Sequence, residues 1–231
     1  MTNFCGFRRS IWTVEKGTEM AFDYKKEYKE YYAPPRKPVI TDVPPMRFLA
    51  VRGKGDPNTP DGAYQQAMQK LYAVAYTLRM SRKAGKEIAG FFEYVVPPLE
   101  GLWQQNDMQG DALDHSRKDD FVWISMIRLP DFVTEADFQW AVAEAERKKH
   151  ISCADVEFFT YDEGLCVQMM HIGSYDNEPE TIAQMLQYLT ENGCAEDHSE
   201  KRQHHEIYLS DPRKTAPEKL KTIIRIPVRR I

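Results

Sequence analysis

The spacing of apolar positions changes along the chain, and the changes mark out elements. Met46 to Arg52 is a short apolar run that predicts a strand, and Gly53-Lys-Gly55-Asp-Pro57-Asn ends it with residues that tolerate turn torsions. Beyond that turn, Tyr64, Met68, Leu71, Tyr72 and Ala75 recur at helical spacing on one face, and Gly85 supplies a stop. Phe91 to Val96 and Phe121 to Leu129, rich in aromatic and β-branched residues, predict two more strands, joined by a long polar segment containing Trp103. Thr134 caps a linking helix that runs to Lys149 with Phe138, Val142 and Ala145 on one side. Val156 to Thr160 and Leu165 to His171 flank Tyr161-Asp-Glu-Gly164, a hairpin signal. A second helix then carries Ile182, Met185, Leu186 and Leu189 and stops at Gly193.

The order of these elements repeats. The run Phe48 to Gly55 corresponds approximately to Val167 to Gly173, each a strand leading through a turn into a helix. After the helix glycines come Phe91-Phe-Glu93-Tyr and His204-His-Glu206-Ile, each with a glutamate at the third position of a strand. Each half then closes on one tetrad, Ile127-Arg128-Leu129-Pro130 and Ile224-Arg225-Ile226-Pro227. The predicted class is α+β, with duplicated strand-helix-strand-strand (SHS2-type) units, pseudo-two-fold symmetry, antiparallel sheets covered by helices and a central ligand cavity. Repeat one spans about 45–131, the linking helix about 134–149 and repeat two about 154–231. Pro34, Pro35 and Pro38 hold Ala33 to Val43 extended, so residues 1–37 are expected to be an N-terminal extension and 38–231 the domain. The residues before Met20 are expected to contribute nothing to the fold.

Composition narrows the class. Among 231 residues, 42% are hydrophobic and 29% charged, which is ordinary globular usage and excludes general disorder. A net charge of -4 leaves no surplus of cations for a phosphate backbone, so nucleic acid is not an expected partner. Cys5, Cys153, Cys166 and Cys194 show neither metal-ligand pairing nor the density of a secreted disulfide scaffold, and are expected as reduced thiols in the cytoplasm. No apolar run reaches the roughly 20 residues of a membrane helix, and no secretory signal is evident. Oligomeric state is not legible.

Candidate chemistry centres on His204 to Leu209. Strand alternation puts His205, Ile207 and Leu209 on one face, suited to packing under helices, and His204, Glu206 and Tyr208 on the other. A carboxylate and a phenol therefore share a surface, and the same alternation groups Phe91, Glu93 and Val95 in the first half. A glutamate partly withdrawn from water gains basicity and suits general-base work. A solvated Glu206, or one paired with Arg225, is the alternative. Trp103, Trp123, Met169 and His171 lie in or beside predicted strands and are candidate walls for a flat or cationic ligand, although core packing explains any one of them equally. The histidines His198, His204 and His205 form no recurrent metal pattern, Gly53-Lys-Gly55 lacks the full phosphate fingerprint, and neither a metal nor another cofactor is expected.

The segments FDYKKEYKEYY, VRGKGDPN, DEGLCVQMMHIGSYDNEP and HHEIYLSDPRKTAPEKLKTIIRIPVR, in that order from Met20 onward, resemble the stand-alone GyrI-like small-molecule-binding proteins. The resemblance implies two strand-helix-strand-strand units that cup a ligand cavity. It also implies a role in the cavity for the glutamate and tyrosine of the E-x-Y-L segment, here Glu206 and Tyr208. Members of the similar stand-alone subgroup hydrolyse cyclopropanoid genotoxins, which implies water attack on a cyclopropane carbon with Glu206 as general base and Tyr208 stabilising the developing oxyanion. Phe91, Glu93, Trp103, Trp123, Met169 and His171 would then form the substrate walls. The competing expectation is a non-catalytic module that sequesters or senses a drug or acts on a protein partner such as gyrase, since one fold hosts many functions.

Overall fold

A computed structural model describes residues 20–105 and 113–231. Cys5 and the residues before Met20 lie outside the described residues. Two short helices, α1 (Tyr24–Glu27) and α2 (Lys29–Tyr32), precede β1 (Val39–Val43), β2 (Met46–Lys54), α3 (Ala63–Arg79), β3 (Leu99–Gln105), β4 (Phe121–Arg128) and α4 (Glu135–Lys149). The chain continues through β5 (Glu157–Tyr161), β6 (Gly164–Ile172), α5 (Glu178–Glu191), β7 (Cys194–Glu196), β8 (His204–Tyr208) and β9 (Lys221–Arg230). The antiparallel strands follow the order β1-β6-β9-β8-β3-β4-β2-β5, with β7 added beside β9.

The two ends of that order meet. Strand β1 runs through Pro44 and Pro45 into β2, and β5 runs through Asp162 and Glu163 into β6. The register is continuous across the break, with Val43 opposite Gly164 on one side and Met46 opposite Tyr161 on the other. One long bent ladder thus closes the sheet on itself. The expected hairpin at Tyr161–Gly164 does not form: β5 pairs with β2, and β6 pairs with β1 and β9. Gly164 takes the left-handed torsion (φ +64°) the signal called for, but the prolines opposite and the burial of Glu163 use that bend to kink a strand rather than reverse it.

Helices α3 and α5 lie on the outer face of the sheet. Tyr64, Leu71, Val74 and Leu78 of α3 join a core with Leu49, Val51, Trp123 and Ile127, while Ile182, Met185 and Leu189 of α5 pack on Val167, Met169, Ile224 and Ile226. The side chain of Trp123 lies over Gly53, its partner across β2 and β4; a Cβ there would fall 2.2 Å from the indole. Helix α4 begins as expected at Thr134, in a capping box with Asp137.

Two sequence expectations fail. Phe91–Val96 is not a strand; Pro97 and Pro98 end any extended run there, Tyr94 makes only an isolated bridge to Phe22, and the strand beside β4 is β3, in the segment expected to be a polar connection. The packed structure also begins earlier than Val39. Tyr24 and Tyr32 are each 3% exposed, because the tyrosine-rich segment folds against the inner face of the sheet, where Arg128 lies 4.9 Å from the Tyr24 ring and 4.7 Å from the Tyr28 ring.

That inner face holds a network of buried charge. His205 of β8 bridges Glu163 (Nδ1 to Oε1, 2.8 Å) and Glu100 (Nε2 to Oε2, 3.0 Å). Arg225 of β9 donates to Glu163 (3.0 Å), Gln168 (3.0 Å) and the Tyr31 carbonyl (2.5 Å), and the Tyr32 hydroxyl donates to Glu100 (3.1 Å). Burial opposes ionisation of Glu163, but His205 and Arg225 outweigh it and bring its carboxyl down to about 2. Burial likewise opposes the His205 charge, and Glu163 and Glu100 outweigh that too, so its imidazole is raised above the usual 6.5.

Both ends of the pH range therefore act on stability. Glu163, depressed in the fold, contributes stability above its unfolded value of 4.5 that is lost as pH falls toward 2. His205, raised in the fold, contributes stability below 6.5 that is lost as pH rises through its folded value. Urea midpoints measured across pH should fall on both sides of an optimum. Glu163→Gln should flatten both limbs and destabilise by about 3–5 kcal/mol, since it leaves the buried Arg225 without a carboxylate and takes one of two from His205.

Candidate functional site

Strand β8 carries the inner network on one face and the candidate site on the other. Register places Glu206 opposite Gly101, Tyr208 opposite Leu99 and His204 opposite Trp103, with Trp103 in turn opposite Trp123. All of these side chains face α3 and α5, so the helix-covered face is the one bearing Glu206, the reverse of the expectation that the His205 face packs under the helices. The reason is the charge network: His205 and Arg225, directly paired across β8 and β9, need the closed interior where Glu163 and Glu100 meet them.

Between α3 and the turn that leads into α5, over β3 and β8, opens a cavity of about 1540 Å³. Tyr64, Met68 and Tyr72 of α3 form one wall, Tyr175 the other, and Trp103, Glu206 and Tyr208 the floor. Tyr64 sits 5.5 Å from the Trp103 ring and 5.1 Å, edge-on, from Trp123, and Tyr175 stands edge-on to Tyr208 at 5.9 Å. The volume exceeds the roughly 300–1,000 Å³ usual for drug-sized ligands, so a multi-ring molecule fits.

A hydrogen bond orders the floor. Trp103 Nε1 donates to the Tyr208 hydroxyl (2.8 Å), and the Glu206 carboxylate is the charge that acts most strongly on that phenol. Gly101 makes room for the pair, since a Cβ there would lie 2.7 Å from Trp103 Nε1 and 3.1 Å from the Tyr208 oxygen. Burial and the neighbouring Glu206 raise the Tyr208 phenol well above its usual range, and the same causes lift Tyr175 to about 12. Both stay protonated at neutral pH. Tyr208 is thus a neutral phenol beside the Glu206 carboxylate, held in place by the Trp103 indole.

Behind Glu206 lies a layer that strand patterning alone did not reveal. His204 Nε2 is 3.2 Å from Glu206 Oε1, and Glu178, the first residue of α5, brings a second carboxylate to the same point. One donor atom from each of Glu178, His204 and Glu206 lies within 4.8 Å of the others, and all three residues are buried. The spacing is short enough for a cation to bridge. The contact itself is one of acid with acid, and burial followed by the charge of Glu206 raises the Glu178 carboxyl well above the usual range, so a proton meets the same need. A glutamate directly after the Tyr-Asp-Asn turn was the available sequence signal, since acids favour the first turn of a helix.

The remaining expected wall residues lie elsewhere. Glu93 is on the irregular segment before β3, partly exposed and paired with Arg79 at 2.5 Å. Phe91 is buried under Arg82, which lies 4.6 Å from its ring. Trp123 is buried behind Trp103 and Tyr64. Met169 packs under α5, and His171 is buried there, with its ring nitrogens against Thr181 Oγ1 (2.8 Å) and the Ser174 carbonyl (3.0 Å). Of the eight residues expected in the site, Glu206, Tyr208 and Trp103 line the cavity. Arg225 faces away from Glu206, so that pairing does not occur.

Residues 36–229 match the model of the GyrI-like small molecule binding domain. A crystal structure of a hydrolase from Listeria innocua is 45% identical with a TM-score of 0.81, covering 90% of this chain and 100% of its own. An uncharacterized conserved protein from the same organism is 46% identical with a TM-score of 0.83, over the same shares. EcmrR in a cryo-EM complex with DNA shares the fold alone, at 13% identity and a TM-score of 0.50, covering 90% of this chain and 63% of its own. No curated protein matches. Among the described residues no helix is long and apolar enough to cross a membrane. With a family model matched over most of its length and close relatives covered end to end, the chain belongs to the GyrI-like small molecule binding domain family.

Proposed function

We propose that the cavity takes flat, hydrophobic or cationic organic molecules and hydrolyses electrophiles of the cyclopropanoid class in the cytoplasm, protecting the cell from them. One observation carries this reading: a buried carboxylate, Glu206, beside the hydrogen-bonded Tyr208 and Trp103 at the floor of a cavity with tyrosine walls. The relatives described as hydrolases support a hydrolytic role. The matching pair orders, β2-β4-β3 and β6-β9-β8 with β3 beside β8, support the inference that the two halves are copies meeting under the cavity.

The reaction needs no cofactor to balance. Glu206 accepts a proton from water as the water oxygen bonds to the less hindered cyclopropane carbon. The strained carbon–carbon bond breaks, and its electron pair moves through the conjugated dienone to the carbonyl oxygen, which becomes a phenolate and then takes up a proton. Relief of ring strain and aromatisation drive the step forward. Tyr175, protonated and facing Tyr208, is positioned as a donor on the cavity wall, while Tyr64 and Trp103 hold the flat rings against the floor.

Binding is expected to quench tryptophan emission and raise the melting temperature in proportion to the logarithm of ligand concentration. Most of the quenching should vanish in Trp103→Phe and persist in Trp123→Phe, because the first indole lines the cavity and the second lies behind it. A panel of flat dyes that moves neither signal would argue against a ligand cavity.

Turnover is tested by incubation with a duocarmycin-type compound, following the ring-opened, water-added product by mass spectrometry. Glu206→Gln should lower turnover by roughly 10²- to 10⁴-fold with little change in affinity, and Tyr208→Phe should lower it less. Binding without ring opening by the unaltered protein would instead identify a sequestering or sensing module.

A further inference from the structure

Two carboxylates buried together are costly unless something removes one of the charges. Glu178 is 1% exposed and Glu206 5%, and the polar atoms they share with His204 lie within 4.8 Å of one another. Oε1 of Glu178 is sealed from solvent and receives no hydrogen bond. An ionised Glu178 would leave that oxygen bare beside a second anion. A proton held between the two acids removes the repulsion and satisfies the oxygen together.

The surroundings decide which acid keeps it. Glu206 has the neutral Tyr208 phenol beside it and His204 Nε2 at 3.2 Å, and it faces the cavity. The groups acting most strongly on Glu178 are Glu206 and His204 from β8 and Asp176 from the turn ahead of α5. Asp176 is itself 3.6 Å from Lys118, and the phenols around the pair, Tyr64 from α3, Tyr175 and Tyr208, are neutral. Anion stabilisation therefore favours charge on Glu206, and burial favours the proton on Glu178.

We propose that Glu178 is the protonated member of an acid pair and donates its hydrogen bond to Glu206, making it a positioning residue that keeps Glu206 ionised and aimed at the cavity. The catalytic consequence rests on the hydrolytic reading above; the protonation state does not. In the reaction, the hydrogen bond from Glu178 holds Glu206 as the free base until water yields its proton.

Infrared spectroscopy of the ligand-free protein separates the two. At neutral pH the wild type should show the carbonyl stretch of a buried carboxylic acid, and Glu178→Gln should lose it. Absence of the band, or its persistence in Glu178→Gln, overturns the proposal. So does stoichiometric retention of zinc or manganese after dialysis against the metal, with loss of the band. If the band is present and no cyclopropanoid is opened, the acid pair stands and the hydrolytic reading falls. Where turnover is seen, Glu178→Gln, whose amide still donates, should keep the wild-type pH profile. Glu178→Met, which cannot donate, should move the acid limb of kcat upward by about one pH unit. An acid limb that moves downward in Glu178→Gln would mean that a negative charge had been removed, and would overturn the assignment. Loss of activity at every pH in Glu178→Met, with no shift of the limb and normal circular dichroism, would reduce Glu178 to packing.

Discussion

The structure depends on the ion cluster inside the closed sheet. His205 between Glu163 and Glu100, with Arg225 closing the group, joins β3, β8 and β9 to the kink between β5 and β6. Charges in such a setting are tolerated only with their partners in place, since desolvation removes most of what pairing contributes. The cluster therefore does less to add stability than to forbid alternatives. A register slip of one residue on β8 would put His204 or Glu206 where His205 belongs and turn the outer face of the strand inward. It also explains why a two-residue connection passes straight through instead of turning: the bend exists to deliver Glu163 inward.

Fixing His205 fixes what lies across the strand from it. Glu206 follows directly in sequence and must point the opposite way, toward α3 and α5. The cavity floor is thus set by backbone hydrogen bonding on both sides of β8, to β3 and to β9. Functional groups mounted on a central strand are held more tightly than on a loop, and the hydrogen bond from Trp103 to Tyr208 adds orientation to that rigidity. Gly101 belongs to the same device, since any side chain there would push the indole and phenol apart.

How much of this the sequence reveals follows from the range of each interaction. Alternation in His204–Leu209 is local, and it separated Glu206 and Tyr208 from His205 correctly; it put the helices over the wrong face, because a charged interior is not visible one strand at a time. The aromatic run Phe91–Val96 drew the strand prediction away from Leu99–Gln105, whose Glu100, Gly101 and two glutamines look polar; each has a specific reason to be there, an ion pair for Glu100 and clearance for Gly101. The glutamate correspondence between Glu93 and Glu206 failed with that strand. Glu178 went unnoticed because its partner is on another element. Tyr24 and Tyr32 were set aside as an extension since charges surround them, although the phenols alone carry the burial.

The same residue type occupies both faces of the central strands with opposite consequences. Glu163 and Glu100 have their oxygens engaged by His205, Arg225 and Tyr32. The Arg225 guanidinium is a fixed cation, and with His205 it brings the Glu163 carboxyl down to about 2. Among the described residues the outer carboxylates meet no such guanidinium: Glu206 lies beside a phenol and an imidazole, and Glu178 is raised rather than lowered by its surroundings. A proton can be exchanged where a guanidinium cannot. The face that carries the aromatic cavity is therefore the one whose buried carboxylates lack a guanidinium partner, while the paired charges of the other face give the central strands their rigidity.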